Sequence, residues 1–202
     1  MTAYEVGILL YEGFDELSAL GPHAVLSAAS EEADLDVTTY SLVPSETLPA
    51  ASGLAVAPED VLIGTPDLVL VPGGPWADPD RPGARALAAA GEYPQRVATL
   101  AENGAAVAGV DTGVLLLGEA GLLDGRAVTG PDTYRLNLEE YGAEIRDAGV
   151  VEDDHLFTAR SPVQGLTLAL HLVDRVAGPD TAADLARQFG VEETETLVIG
   201  DS

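Results

Sequence analysis

Two short apolar runs that stop abruptly at glycine turns constrain this chain more than any other feature. Residues 67–71 (DLVLV) run into PGGP at 72–75, and residues 105–110 (AAVAGV) run into DTG at 111–113. A strand with no polar face must be covered on both sides, so each run belongs inside a parallel sheet with helices above and below it. The neighbouring segments alternate to match. YEVGILLY (4–11) opens the chain as a strand, and SALGPHAVLSAAS (18–30) reads as a helix entered through a Gly-Pro break. LDVTTYSLV (35–43) is a second strand and ASGLAVAPED (51–60) a short hairpin arm or excursion.

Further on, ARALAAAGEYPQRVATLAEN (84–103) is helical with one Pro interruption, and the helix opened by DTG ends near Gly121. RAVT (126–129) is a strand, TYRLNLEEYG (133–142) a helix closed by Gly142, and 143–159 an antiparallel pair around an acidic turn. Two helices close the chain, at 163–178 and 179–190. This alternation predicts an α/β fold, a three-layer sandwich around a mostly parallel sheet with helices on both faces. Residues 1–190 read as a single domain and 191–202 as a mobile acidic tail.

Composition narrows the function classes. Thirty-four acidic residues face nine basic ones, all Arg, for a formal net charge of −25. Such a surface repels phosphate backbones and anionic lipid heads, so neither nucleic acid nor membrane is an expected partner. A dense carboxylate surface suits a halophile-like, cytoplasmic setting in which salt screens the self-repulsion. No basic stretch precedes the first apolar run, and no run of 18 apolar residues exists, so neither a secretory leader nor a spanning helix is expected. With no cysteine there is no disulfide, zinc-thiolate site or thiol nucleophile. The three histidines lack metal-ligand spacing, Glu152-Asp153-Asp154 reads as a surface turn, and no phosphate-binding lysine loop or dinucleotide fingerprint occurs; no metal or cofactor is expected.

In open α/β sheets ligands bind beyond the carboxyl ends of the strands, which singles out PGG and VDTG. Gly73 and Gly74 can present backbone amides to a ligand or simply end a strand. Gly109-Val110-Asp111-Thr112-Gly113 has the outline of a nucleophile elbow, which would point the Asp111 side chain into the crevice; a helix cap is the alternative. His23, at the Gly-Pro break, either lines the cleft or an interface, or simply starts a helix. Trp76, directly after PGGP, either closes over a ligand or a second subunit, or packs within its own domain.

GFDELSALGPHAVL, VPGGP, VDTGVLLLGEAGLLDGRAVT and LFTARSPVQGLTLALHLVDRVAG together resemble the ThiJ/PfpI superfamily over nearly the whole chain, and are most similar to its isonitrile hydratase-like branch and to the sensor domains of related transcription regulators. The resemblance implies a flavodoxin-like sandwich and a homodimer. It also implies an elbow cysteine helped by an acid and, in this branch, by a histidine; these positions fall on Asp111, Ser18 and Gly130. All three have changed, which marks divergence rather than a single substitution and removes thiolate chemistry. Ser18 is expected to avoid a carboxylate pair and to donate its hydroxyl to an ionised Asp111.

Three functions then compete. The first is a small-molecule-binding protein or one of altered activity, with Gly73, Gly74, His23, Trp76 and Gly130 around the cleft. The second is a hydratase or hydrolase in which Asp111 activates water while the amides of Gly74 and Thr112 stabilise an oxyanion. The third is a stand-alone sensor domain, without direct DNA contact because no helix-turn-helix follows. The charge makes its own prediction: thermal unfolding should move to higher temperature between dilute buffer and molar salt, and a melting temperature indifferent to salt would refute the screening argument.

Overall fold

The structure, a computed structural model, describes residues 3–30, 33–191 and 196–199. In chain order its strands are β1 (Tyr4–Leu9), β2 (Leu35–Ser41), β3 (Leu48–Pro49), β4 (Ala55–Val56), β5 (Asp60–Val61), β6 (Leu68–Val71), β7 (Ala106–Val110), β8 (Ala127–Val128), β9 (Glu144–Ile145), β10 (Val150–Asp153), β11 (Leu156–Ala159) and β12 (Thr196–Ile199). Its helices are α1 (Glu16–Ala29), α2 (Ala84–Ala90), α3 (Glu92–Glu102), α4 (Gly113–Glu119), α5 (Arg135–Glu140), α6 (Gln164–Ala177) and α7 (Pro179–Phe189).

Eight strands form one sheet in the order β12-β10-β11-β7-β6-β1-β2-β5. Every adjacent pair is parallel except the β10–β11 hairpin, whose tight turn places Asp154 at φ 55. Helices α1, α6 and α7 pack together on one face and α2 to α5 on the other, so the three-layer flavodoxin-like sandwich is the observed fold. The two diagnostic runs lie at its centre as neighbours, with Leu68 to Val71 pairing Ala106 to Gly109. Every residue of β6 and β7 is buried, as coverage on both faces demands.

Three expectations are corrected. Pro22 does not open α1 but lies inside it; the helix begins at Glu16, because Asp15 caps it by accepting the Ser18 N–H at 2.8 Å, and Pro22 then joins the buried face with Ala19, Val25 and Leu26. The break in 84–103 falls at Gly91, in the left-handed region at φ 80, while Pro94 sits harmlessly in the first turn of α3. Residues 196–199 are no free tail but the edge strand β12, parallel to β10; the rest of that acidic segment beyond Val191 lies outside the described residues. In addition, residues 144–145 pair with β8 rather than joining the hairpin.

The junction of β7 and α4 needs two bare backbones. A Cβ on Gly113 would stand 2.2 Å from the Val71 carbonyl oxygen, and one on Gly109 would meet the Leu117 side chain at 2.9 Å and the Val114 Cα at 3.0 Å. The first obstacle is backbone and cannot swing aside. Gly113→Ala should therefore cost about 3 kcal/mol or more by urea unfolding, while Gly64→Ala, with open space around it, should be near neutral. Equal midpoints for the two variants would refute this packing argument.

Candidate functional site

At the end of β7 the chain turns sharply into α4, and the turn residue is Asp111, at φ 55. Its N–H donates to Ala159 O at 2.9 Å, and its carbonyl accepts from Val114 N at 3.1 Å, so strand β11 and helix α4 hold it from both sides. A non-glycine residue in this region is strained, and surrounding structure has to hold it there. The sharp strand-to-helix turn expected at 109–113 is thus present.

The PGG loop lies directly against it. A Cβ on Gly73 would be 3.0 Å from Asp111 Oδ2 and 3.1 Å from Thr112 Oγ1. On the other side, a Cβ on Gly74 would be 2.7 Å from Gly13 O and 2.8 Å from Tyr11 Oη. Both glycines therefore serve close approach. The Tyr11 hydroxyl donates to Pro72 O at 2.9 Å and stacks edge-on with Tyr93, whose own hydroxyl donates to Leu9 O. Burial pushes both tyrosine hydroxyls well above their ordinary range, leaving them neutral donors.

Several expected roles are reassigned. Ser18 is fully buried, yet its hydroxyl donates to Asp15 Oδ1 at 2.7 Å rather than to Asp111; the helix cap, three residues away in sequence, is the nearer acceptor. The Gly74 N–H donates to Thr112 Oγ1 at 2.8 Å, and that hydroxyl donates back to Gly74 O at 2.7 Å. The Gly74 amide is therefore not free to serve an oxyanion in this conformation, while the Thr112 N–H donates to the Asp111 carboxylate. His23 faces Glu59, with 3.9 Å between Nε2 and Oε2, and Glu59 also accepts from the Thr39 hydroxyl. Trp76 is buried against Tyr134, with Arg85 over its ring at 5.2 Å, so it packs within its own domain. Beside Gly130 the space is filled by Leu138, whose Cδ1 would lie 2.8 Å from an added Cβ. Tyr134 is half-buried, while Asp132 and Arg135 are exposed.

Sequence reasoning passed over Asp15. Its N–H donates to Gly73 O at 2.7 Å, which ties the start of α1 to the same loop that faces Asp111. The local signal was Asp three residues before Ser, the spacing of a side-chain cap. Burial raises the Asp111 pKa above the usual carboxylate value; the Thr112 N–H opposes the rise, and the charge of Asp15 adds to it. With serine at 18, a carboxylate still acts on Asp111 across this cleft, that of Asp15. Chemically, the site offers a half-buried oxygen acceptor of raised proton affinity, a backbone lip without side chains, and no contacting histidine or thiol.

Residues 4–175 match the DJ-1/PfpI family. The chain is 31% identical over 182 residues to isonitrile hydratase of Pseudomonas putida, covering 89% of this chain and 75% of that protein. Among solved structures it is similar to a ThiJ/PfpI family protein from Pseudomonas syringae, with a TM-score of 0.81 at 23% identity over 96% of this chain and 77% of that one. It is also similar to an AraC family transcriptional regulator from Pseudomonas putida, with a TM-score of 0.75 at 26% identity over 92% of this chain and 99% of that one.

The raised Asp111 pKa fixes the sign of a pH effect. A carboxyl that holds its proton more tightly when folded contributes stability that is fully present below the unfolded pKa and is lost as pH rises through the folded one. Asp111→Asn keeps the shape, tolerates positive φ and carries no charge, so it should raise Tm by a few degrees at pH 7, with the gain vanishing below about pH 4. A lower Tm for the variant at pH 7 would contradict the burial argument.

Proposed function

The chain belongs to the DJ-1/PfpI family, and from that premise we propose that its elbow cleft captures a small polar molecule through the Asp111 carboxylate instead of attacking one with a thiolate. The observation that carries this is the placement of Asp111 itself, half-buried at the φ 55 turn with Oδ2 against the bare backbone of Gly73. A carboxylate in that position accepts hydrogen bonds, so the ligand class is one with an N–H or O–H donor, such as a small amide, amine or alcohol. The homodimer and the saline cytoplasm implied by resemblance and charge belong to this proposal.

A second possibility is that Asp111 acts as general base on water at a small C–N substrate. The 31% identity to isonitrile hydratase and the raised proton affinity of Asp111 support it. Proton management weighs against it. Ser18 is committed to Asp15, Gly130 brings no side chain, and the Gly74 N–H is spent on Thr112, so none of these three supplies a general acid or a free oxyanion donor at the carboxylate. A sensor role, favoured by the likeness to the AraC family regulator, would use the same binding chemistry.

Small amides, amines, alcohols, nitriles and isonitriles can be titrated in molar salt by thermal shift and assayed for turnover with wild type and Asp111→Asn. The expected result is a donor-bearing compound that raises the wild-type Tm, loses at least tenfold in affinity for the variant and is not consumed. Turnover abolished by Asp111→Asn would install the enzyme reading instead, and binding indifferent to the substitution would defeat both.

A further inference from the structure

The opposite end of the sheet holds a second assembly of ionisable groups that the elbow does not use. Glu152, on β10, is only 3% exposed, although the sequence places it in an acidic turn. Its Oε2 meets His171 Nε2 and its Oε1 meets Arg175 Nη1 at 3.1 Å, both partners coming from α6. Burying a carboxylate costs several kcal/mol unless its partners are well placed, and an apolar residue there would often be as stable. Beside this triad lies a cavity of about 510 Å³, within the usual range of small-molecule sites.

The cavity has two kinds of wall. Phe157, Leu172, Val176 and Val198 supply an apolar side, and Arg175 and Tyr4 supply donors. Both oxygens of Glu152 already hold a cationic partner or an imidazole, so the acceptor side of the cluster is largely taken. The donor side is not. Among the described residues Glu152 is the only ion-pair partner of Arg175, whose side chain remains about half exposed, and the Tyr4 hydroxyl has no hydrogen-bond partner. The two donors are also electrostatic neighbours: burial and Asp67 push the Tyr4 hydroxyl above its usual pKa, and Arg175 pulls it back. Of the other ionisable groups at the rim, the Asp154 carboxylate lies 3.5 Å from the His155 imidazole.

We propose that this cavity is a binding site for a small monocarboxylate with an apolar body, its carboxylate held by Arg175 and Tyr4 and its body against Phe157, Leu172, Val176 and Val198. Glu152 is a positioning residue, which aims the guanidinium while His171 braces the carboxylate from the other side. With one guanidinium available, a monoanion matches the charge better than a dianion. The site is separate from the elbow. Ala106, on its wall, starts β7, and Asp111 follows five residues later, about 17 Å away at the usual strand rise. It is also at the amino ends of the parallel strands, where open α/β sheets do not ordinarily bind their substrates, so an effector is the ligand such a place suits.

Benzoate, benzyl alcohol and benzylamine share one apolar body and differ in the head group, so they separate the contributions by NMR titration of the full chain. Benzoate should bind at least tenfold tighter than either of the others. Arg175→Gln should weaken it at least tenfold and Tyr4→Phe severalfold. Because Arg175→Gln strips Glu152 of a partner and can unsettle the fold, Val176→Phe, which fills the apolar wall while keeping all three members of the triad, provides an independent check and should abolish binding. The proposal is overturned if no benzoate binding is found, if benzylamine or benzyl alcohol binds as well, if Val176→Phe binds benzoate normally, or if Asp111→Asn is what removes it.

Discussion

The start of helix α4 is set against the carbonyls of Val71 and Pro72, and most of the molecule's functional geometry descends from that contact. Only a residue without Cβ fits at 113, where an added carbon would be 2.2 Å from one carbonyl oxygen and 2.9 Å from the next. The approach draws the end of β6 under the elbow, so that Thr112 exchanges two hydrogen bonds with Gly74 and Asp111 lies over Gly73. The left-handed backbone at Asp111 is the strain this arrangement holds in place, offset by the burial of β6, β7 and α4 around it.

Within that frame the charges are arranged with economy. A chain with 34 acidic residues and nine arginines cannot pair each carboxylate, so most are exposed and solvated. Those that are not have found donors close by: Asp15 takes the N–H and hydroxyl of Ser18, and Glu152 takes His171 and Arg175. Asp111 is held differently: burial raises its proton affinity, the Thr112 N–H only partly opposes the rise, and the field of Asp15 adds to it. Of the features that sharpen a thiolate, the site keeps the helix N-terminus of α4 but sets the negative charge of Asp15 against it.

What the sequence could specify was whatever depends on a few neighbouring residues. The apolar runs at 67–71 and 105–110 had to be central strands because nothing but coverage on both faces accommodates them, and the Gly-x-Asp-x-Gly spacing had to be a tight strand-to-helix turn. The helix start at Asp15 was written locally too, but was masked by the louder Gly-Pro at 21–22; a buried helix face outweighs a proline whose missing donor is one bond among many.

Tertiary structure alone decided which partner each polar group took. The Gly74 amide met a hydroxyl 38 residues away, Trp76 met Tyr134 and Arg85, and Leu138 filled the room beside Gly130. Glu152, one of three consecutive acids, was turned inward because the alternation of β10 faces it towards α6, where His171 and Arg175 wait one helical turn apart. Periodicity says which residues must be covered. It does not say by what, since that depends on which distant segments pack into register.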